Sequence, residues 1–99
     1  MIKVKVKKDI ISISGHANYD DYGKDIVCAA VSSVAMCSVE AIATFDENAV
    51  NVKKENDTLD IIINKEDEVT LKLINNMLNC LKEIAKQYPK NIQINDREE

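Results

Sequence analysis

Ninety-nine residues, 45% apolar and 30% charged, suit one ordinary globular domain over 1–99 and exclude a disordered chain. The net charge is −4 and the thirteen basic residues are scattered rather than clustered, which argues against direct binding to nucleic acid and favours a basic protein partner. The longest uncharged run, Ile26 to Val39, is fourteen residues, short of the roughly 20 that a spanning helix needs, so no membrane partner is expected.

The chain starts MIKVKVKKDI, without the apolar block and small-residue cleavage site of a secretory signal, so a cytoplasmic location is expected. From Ile2 to Lys7 apolar residues and lysines alternate, the period of two that puts one face of a strand inward. Lys8-Asp9 turns the chain into a second strand, Ile10 to Ser14, with Ile11 and Ile13 inward; the adjacent Ile10 leaves this register open. Gly15 ends that strand.

From Asp25 the run DIVCAAVSSVAMCSVEAIATF is alanine-rich and too long for a strand, and reads as a helix capped by Asp25. It is apolar nearly all round. Such a helix needs cover on most sides, from its own sheet and from a second copy of the chain, so a homodimer is expected. Ala49 to Lys53 and Thr58 to Asn64 flank Glu55-Asn56-Asp57 and form a hairpin. Ile74, Met77, Leu78, Leu81, Ile84, Ala85 and Tyr88 recur at helical spacing, marking a second, amphipathic helix over about Asp67 to Tyr88. Pro89 stops it, and Ile92 to Ile94 supplies a last strand. The expected fold is α+β, ββαββαβ, a two-layer sandwich of one mixed sheet with two helices.

Cys28, Cys37 and Cys80 have no C-x-x-C spacing and no second histidine to complete a zinc site. Neither a metal nor a cofactor is expected. The cluster Asn18, Asp20, Asp21, Asp25 fails as a calcium loop, because Tyr22 and Ala29 would fall on ligand positions. Cys37 and Cys80 read as core residues, Cys37 half a turn out of phase with Cys28.

Chemistry concentrates in GHANYDDYGKDIVCAA, residues 15–30, which holds the only histidine and both glycines. His16 leaves the second strand and Cys28 is the third residue of the helix if Asp25 caps it. A free thiol, near pKa about 8.5, is a poor nucleophile, whereas a helix N-terminus and an imidazolium both favour the thiolate. That pairing points to a cysteine protease, with Cys28 as nucleophile, His16 as acid and base, and first-turn amides for the oxyanion. The Asp25 carboxylate would bond a first-turn amide; whether it chiefly opposes the thiolate or steadies the histidine stays open. Gly15 allows a sharp turn or a close approach, Gly23 a hinge, and Tyr19 and Tyr22 are candidate contacts for an apolar peptide on a lid-like loop. The rival reading is a non-catalytic module in which the loop and helix start bind a peptide or anion.

GHA, five residues, then GKDIVCAAVS resembles closely the signature of the ribosomal-processing cysteine protease family, Prp, over residues 15–32. The resemblance implies a homodimer that removes the short N-terminal extension of the large-subunit ribosomal protein bL27, cutting after a pair of phenylalanines, in support of ribosome assembly. It implies Cys28 as nucleophile with His16 as its partner, Asp25 and Ser32 lining the site, and Gly15 at the loop base.

Overall fold

The computed structural model describes residues 1–17, 20 and 25–95. Five strands and two helices follow one another as β1 (Ile2–Val6), β2 (Ile10–Ser14), α1 (Ile26–Phe45), β3 (Val50–Glu55), β4 (Thr58–Ile63), α2 (Glu68–Gln87) and β5 (Ile92–Asn95). This is the α+β order expected from the sequence. The sheet runs β3-β4-β2-β1-β5; β5 lies parallel to β1, and the other neighbours are antiparallel. The sheet is therefore mixed.

Alternation sets the two layers. Ile2 and Val4 are buried while Lys3 and Lys5 face water. Val4 pairs with Ile13, Ile13 with Leu59, and Ile11 with Ile61, so the apolar residues of three strands share one face. The open register of β2 is thereby settled, with Ile11 fully buried and Ile10 half-buried on the other face beside Ile62. Both helices cover the apolar face and pack on each other. Thr70, Ile74, Met77, Leu78 and Leu81 form the buried stripe of α2, and Val27, Val31, Ala35 and Ile42 that of α1.

The hairpin is longer than its apolar residues suggested, because β3 continues through Lys54 and Glu55. As an edge strand it leaves most side chains in water, so hydrogen bonding to β4 rather than burial defines its end. Asn56 turns the chain at φ 50, a left-handed conformation that asparagine tolerates better than most residues.

Two sequence expectations are corrected. Cys37 is exposed on α1 rather than in the core, because the helix buries only the stripe that meets α2 and the sheet; Cys80 is half-buried. By length and composition α1 is able to cross a membrane. The fourteen-residue count missed this because Glu40, the single charge in the helix, interrupts the run. In this fold the buried stripe of α1 belongs to the common core.

Ile61 is fully buried, whereas Val69 is 41% exposed. Ile61→Ala should lower unfolding free energy by about 2–5 kcal/mol and Val69→Ala by about 0.5 kcal/mol or less. Urea denaturation of the two variants checks this.

Candidate active site

The site lies where β2 ends, α1 begins and the β3–β4 turn folds over. Gly15 leaves β2 at φ +88, and a Cβ there would stand 2.5 Å from the carbonyl oxygen of Met1. Only glycine fits both the backbone angle and the space. Its N–H donates to the Asp57 carbonyl at 3.0 Å, which fastens the loop base to the β3–β4 turn. His16 follows, with Nε2 3.1 Å from Asp57 Oδ1.

Ala17 is almost fully buried, at 1% exposure, and its peptide groups join three elements. The Ala17 N–H donates to Cys28 Sγ at 3.3 Å. Its carbonyl accepts from Asn91 Nδ2 at 2.9 Å, and the Asn91 carbonyl in turn accepts from the Ile2 N–H at 2.8 Å. An N–H aimed at sulfur becomes a charge-assisted hydrogen bond once the sulfur is an anion.

Asp25 caps α1 as expected, its Oδ1 accepting from the N–H groups of Val27 and Cys28 at 3.0 Å each. Its shown work is capping, which aligns the first turn and holds Cys28 at the third position. Those two amides are thereby engaged by the cap.

Gly15, His16, Cys28 and Ser32 line one cavity of about 370 Å³. Ser32 is one helical turn beyond Cys28 and shares its face. Ile2, Ile13, Val31, Ala35, Met36 and Leu59 give the cavity apolar walls, and Lys54, Asn56, Asp57 and Thr58 from the hairpin form a polar rim. Asp25 is not one of the residues that line this cavity. Tyr19, Tyr22 and Gly23 lie outside the described residues.

Sequence reasoning missed Ala17, Asn91, Lys54 and Asp57. The contribution of Ala17 is backbone alone, which no side-chain pattern announces, and Asn91 reaches it across 74 residues of chain. Asp57 carried a signal only as a turn former.

The family model for cysteine protease Prp matches residues 1–93. The ribosomal processing cysteine protease Prp of Mycoplasma pneumoniae is 34% identical over 100 residues, covering 98% of this chain and 96% of its own. The Prp of Staphylococcus aureus is 35% identical over 91 residues, covering 88% of this chain and 84% of its own. A crystal structure of the Staphylococcus aureus enzyme with a covalently linked product peptide superposes with a TM-score of 0.90 at 26% identity, covering 98% of this chain and all of that one.

Gly15→Ala should destabilise the fold by about 1–3 kcal/mol or more, from the backbone angle and the clash together; thermal unfolding reads this. Under limiting iodoacetamide, Cys28 should alkylate before the more exposed Cys37, and Asn91→Ala should narrow that lead. Peptide mapping that finds Cys37 modified first would contradict the activation of Cys28.

Proposed function

We propose that this chain, which belongs to the cysteine protease Prp family, removes the short N-terminal extension of ribosomal protein bL27, with Cys28 as nucleophile and His16 as acid and base. The observation that carries the reading is the convergence of the two side chains on one apolar-walled cavity, with the Cys28 sulfur already accepting a backbone N–H.

The chemistry proceeds in two halves. The thiol proton passes to the imidazole, and Sγ attacks the scissile carbonyl carbon to give a tetrahedral oxyanion. As that intermediate collapses, the C–N bond breaks, His16 gives its proton to the leaving amine, and a thioester remains. Water, its proton taken by His16, then attacks the thioester carbonyl; the C–S bond breaks and the acyl fragment leaves as a carboxylic acid. The Ala17 N–H steadies the sulfur whenever it carries charge.

The cavity suits an apolar side chain. Its walls are aliphatic and its size falls in the range of about 300–1,000 Å³ usual for small binding sites, which supports a substrate with aromatic residues beside the cut. The Staphylococcus aureus relative has been seen with a substrate peptide, and for this chain peptide binding in the cavity beside Cys28 is proposed. Ser32, on the wall one turn from Cys28, serves as a polar contact for the bound backbone.

A second copy of the chain is the proposed partner in assembly. Ile26, Met36 and Phe45 are 56%, 41% and 70% exposed at different angles round α1, so its apolar surface extends beyond the buried stripe and calls for further cover. The three free cysteines fit work in the reducing cytosol.

Incubating a peptide that spans the extension and its junction with the protein should yield two fragments by mass spectrometry. Cys28→Ser and His16→Ala should each lower the rate by at least about a thousandfold, with Cys28→Ser still binding the peptide. Cleavage by Cys28→Ser at the unmodified rate would end the protease reading of Cys28 and leave a peptide-binding module.

A further inference from the structure

We propose that Asp57 is a positioning residue for His16 and that it divides the ring between two partners, Nε2 for the carboxylate and Nδ1 for the sulfur of Cys28. The proposal deepens the assignment of Cys28 and His16 as the reacting pair and rests on it.

Register brings the two residues together. Ser14 pairs with Thr58 at the last rung of β2 and β4, so Gly15 and Asp57 face each other just beyond it. The Gly15 N–H donates to the Asp57 carbonyl at 3.0 Å, and the left-handed Asn56 completes the turn. The backbone of Asp57 is thus tied to the residue immediately before His16. Across that link Nε2 lies 3.1 Å from Asp57 Oδ1, and His16, Asp57 and Cys28 all border the same cavity.

The chemical consequence follows from what each group can donate. An ionised carboxylate only accepts, so the ring nitrogen beside it carries the hydrogen. In the neutral ring Nδ1 then holds the lone pair. It receives the proton from Cys28 Sγ, leaving the sulfur anionic and both ring nitrogens protonated, and the same Nδ1–H later passes to the leaving amine. Without the carboxylate the neutral imidazole would divide between its two tautomers and turn more freely. In the free protein the side chains of His16 and Asp57 are 54% and 63% exposed, and water weakens such a pair. A peptide seated in the cavity would exclude part of that water and strengthen it.

The test sets Asp57→Ala, Asp57→Asn and Asp57→Glu beside His16→Ala on the same junction peptide. Because the pair is half in water, Asp57→Ala should lower kcat about tenfold, less than the loss of a buried orienting group, with KM within about twofold. Asp57→Glu should recover part of the loss. His16 is the only histidine, so long-range ¹⁵N–¹H NMR reads its tautomer without overlap. At alkaline pH the unmodified protein should show the hydrogen on Nε2, and Asp57→Ala a mixture of both forms. Unchanged kcat in Asp57→Ala while His16→Ala is inactive would overturn the role of Asp57 alone, as would the hydrogen on Nδ1 in the unmodified protein. Full activity in His16→Ala would instead overturn the pair itself.

Discussion

The site depends on how one peptide segment, Ala17, is held. Its N–H points at the Cys28 sulfur at 3.3 Å, its carbonyl is gripped by Asn91 at 2.9 Å, and its side chain is buried. Those three restraints come from α1, the α2–β5 connection and the core. They leave the preceding residue, His16, little choice of where to stand. The left-handed Gly15 makes this possible, since a chain continuing β2 in extended form would carry the imidazole along the sheet instead of across it.

The sheet performs the alignment and the helix supplies the thiol. Period-two alternation along β1, β2 and β4 fixes which residues face inward, and a slip of one residue would send every buried isoleucine to the solvent side. The same register decides that Asp57, rather than a neighbour in the turn, meets the loop base. Core packing and site geometry therefore share one constraint. Asp25 does the corresponding job for α1, ordering the first turn through two amides and so fixing the direction in which Cys28 projects.

Much of this was legible in the sequence. The lysine alternation of β1, the apolar stripe of α2, the capping Asp25 and the stop at Pro89 each carry a local physical signal, and every one marks an element that formed. Cys28 and His16 stood out because a thiol at a helix start and a lone imidazole at a strand end are unusual side chains in particular places. What stayed hidden was nonlocal or made of backbone. Nothing near Asn91 announces that it holds a carbonyl 74 residues away, and the amide of Ala17 looks like any other. Cys37 was misjudged for a related reason: the near-uniform apolarity of α1 gives no phase, so the side left in water shows only once α2 and the sheet have taken the opposite one.

The central claim is that the imidazole of His16 and the sulfur of Cys28 meet across a bound polypeptide. A crystal structure of this protein with a peptide analogue bonded to Cys28 Sγ tests it most directly. The account predicts Nδ1 of His16 turned toward that sulfur, within hydrogen-bonding reach of it or of the departing nitrogen's position, while Nε2 remains on Asp57. An imidazole directed away from the peptide, with a different side chain beside the sulfur, would contradict it.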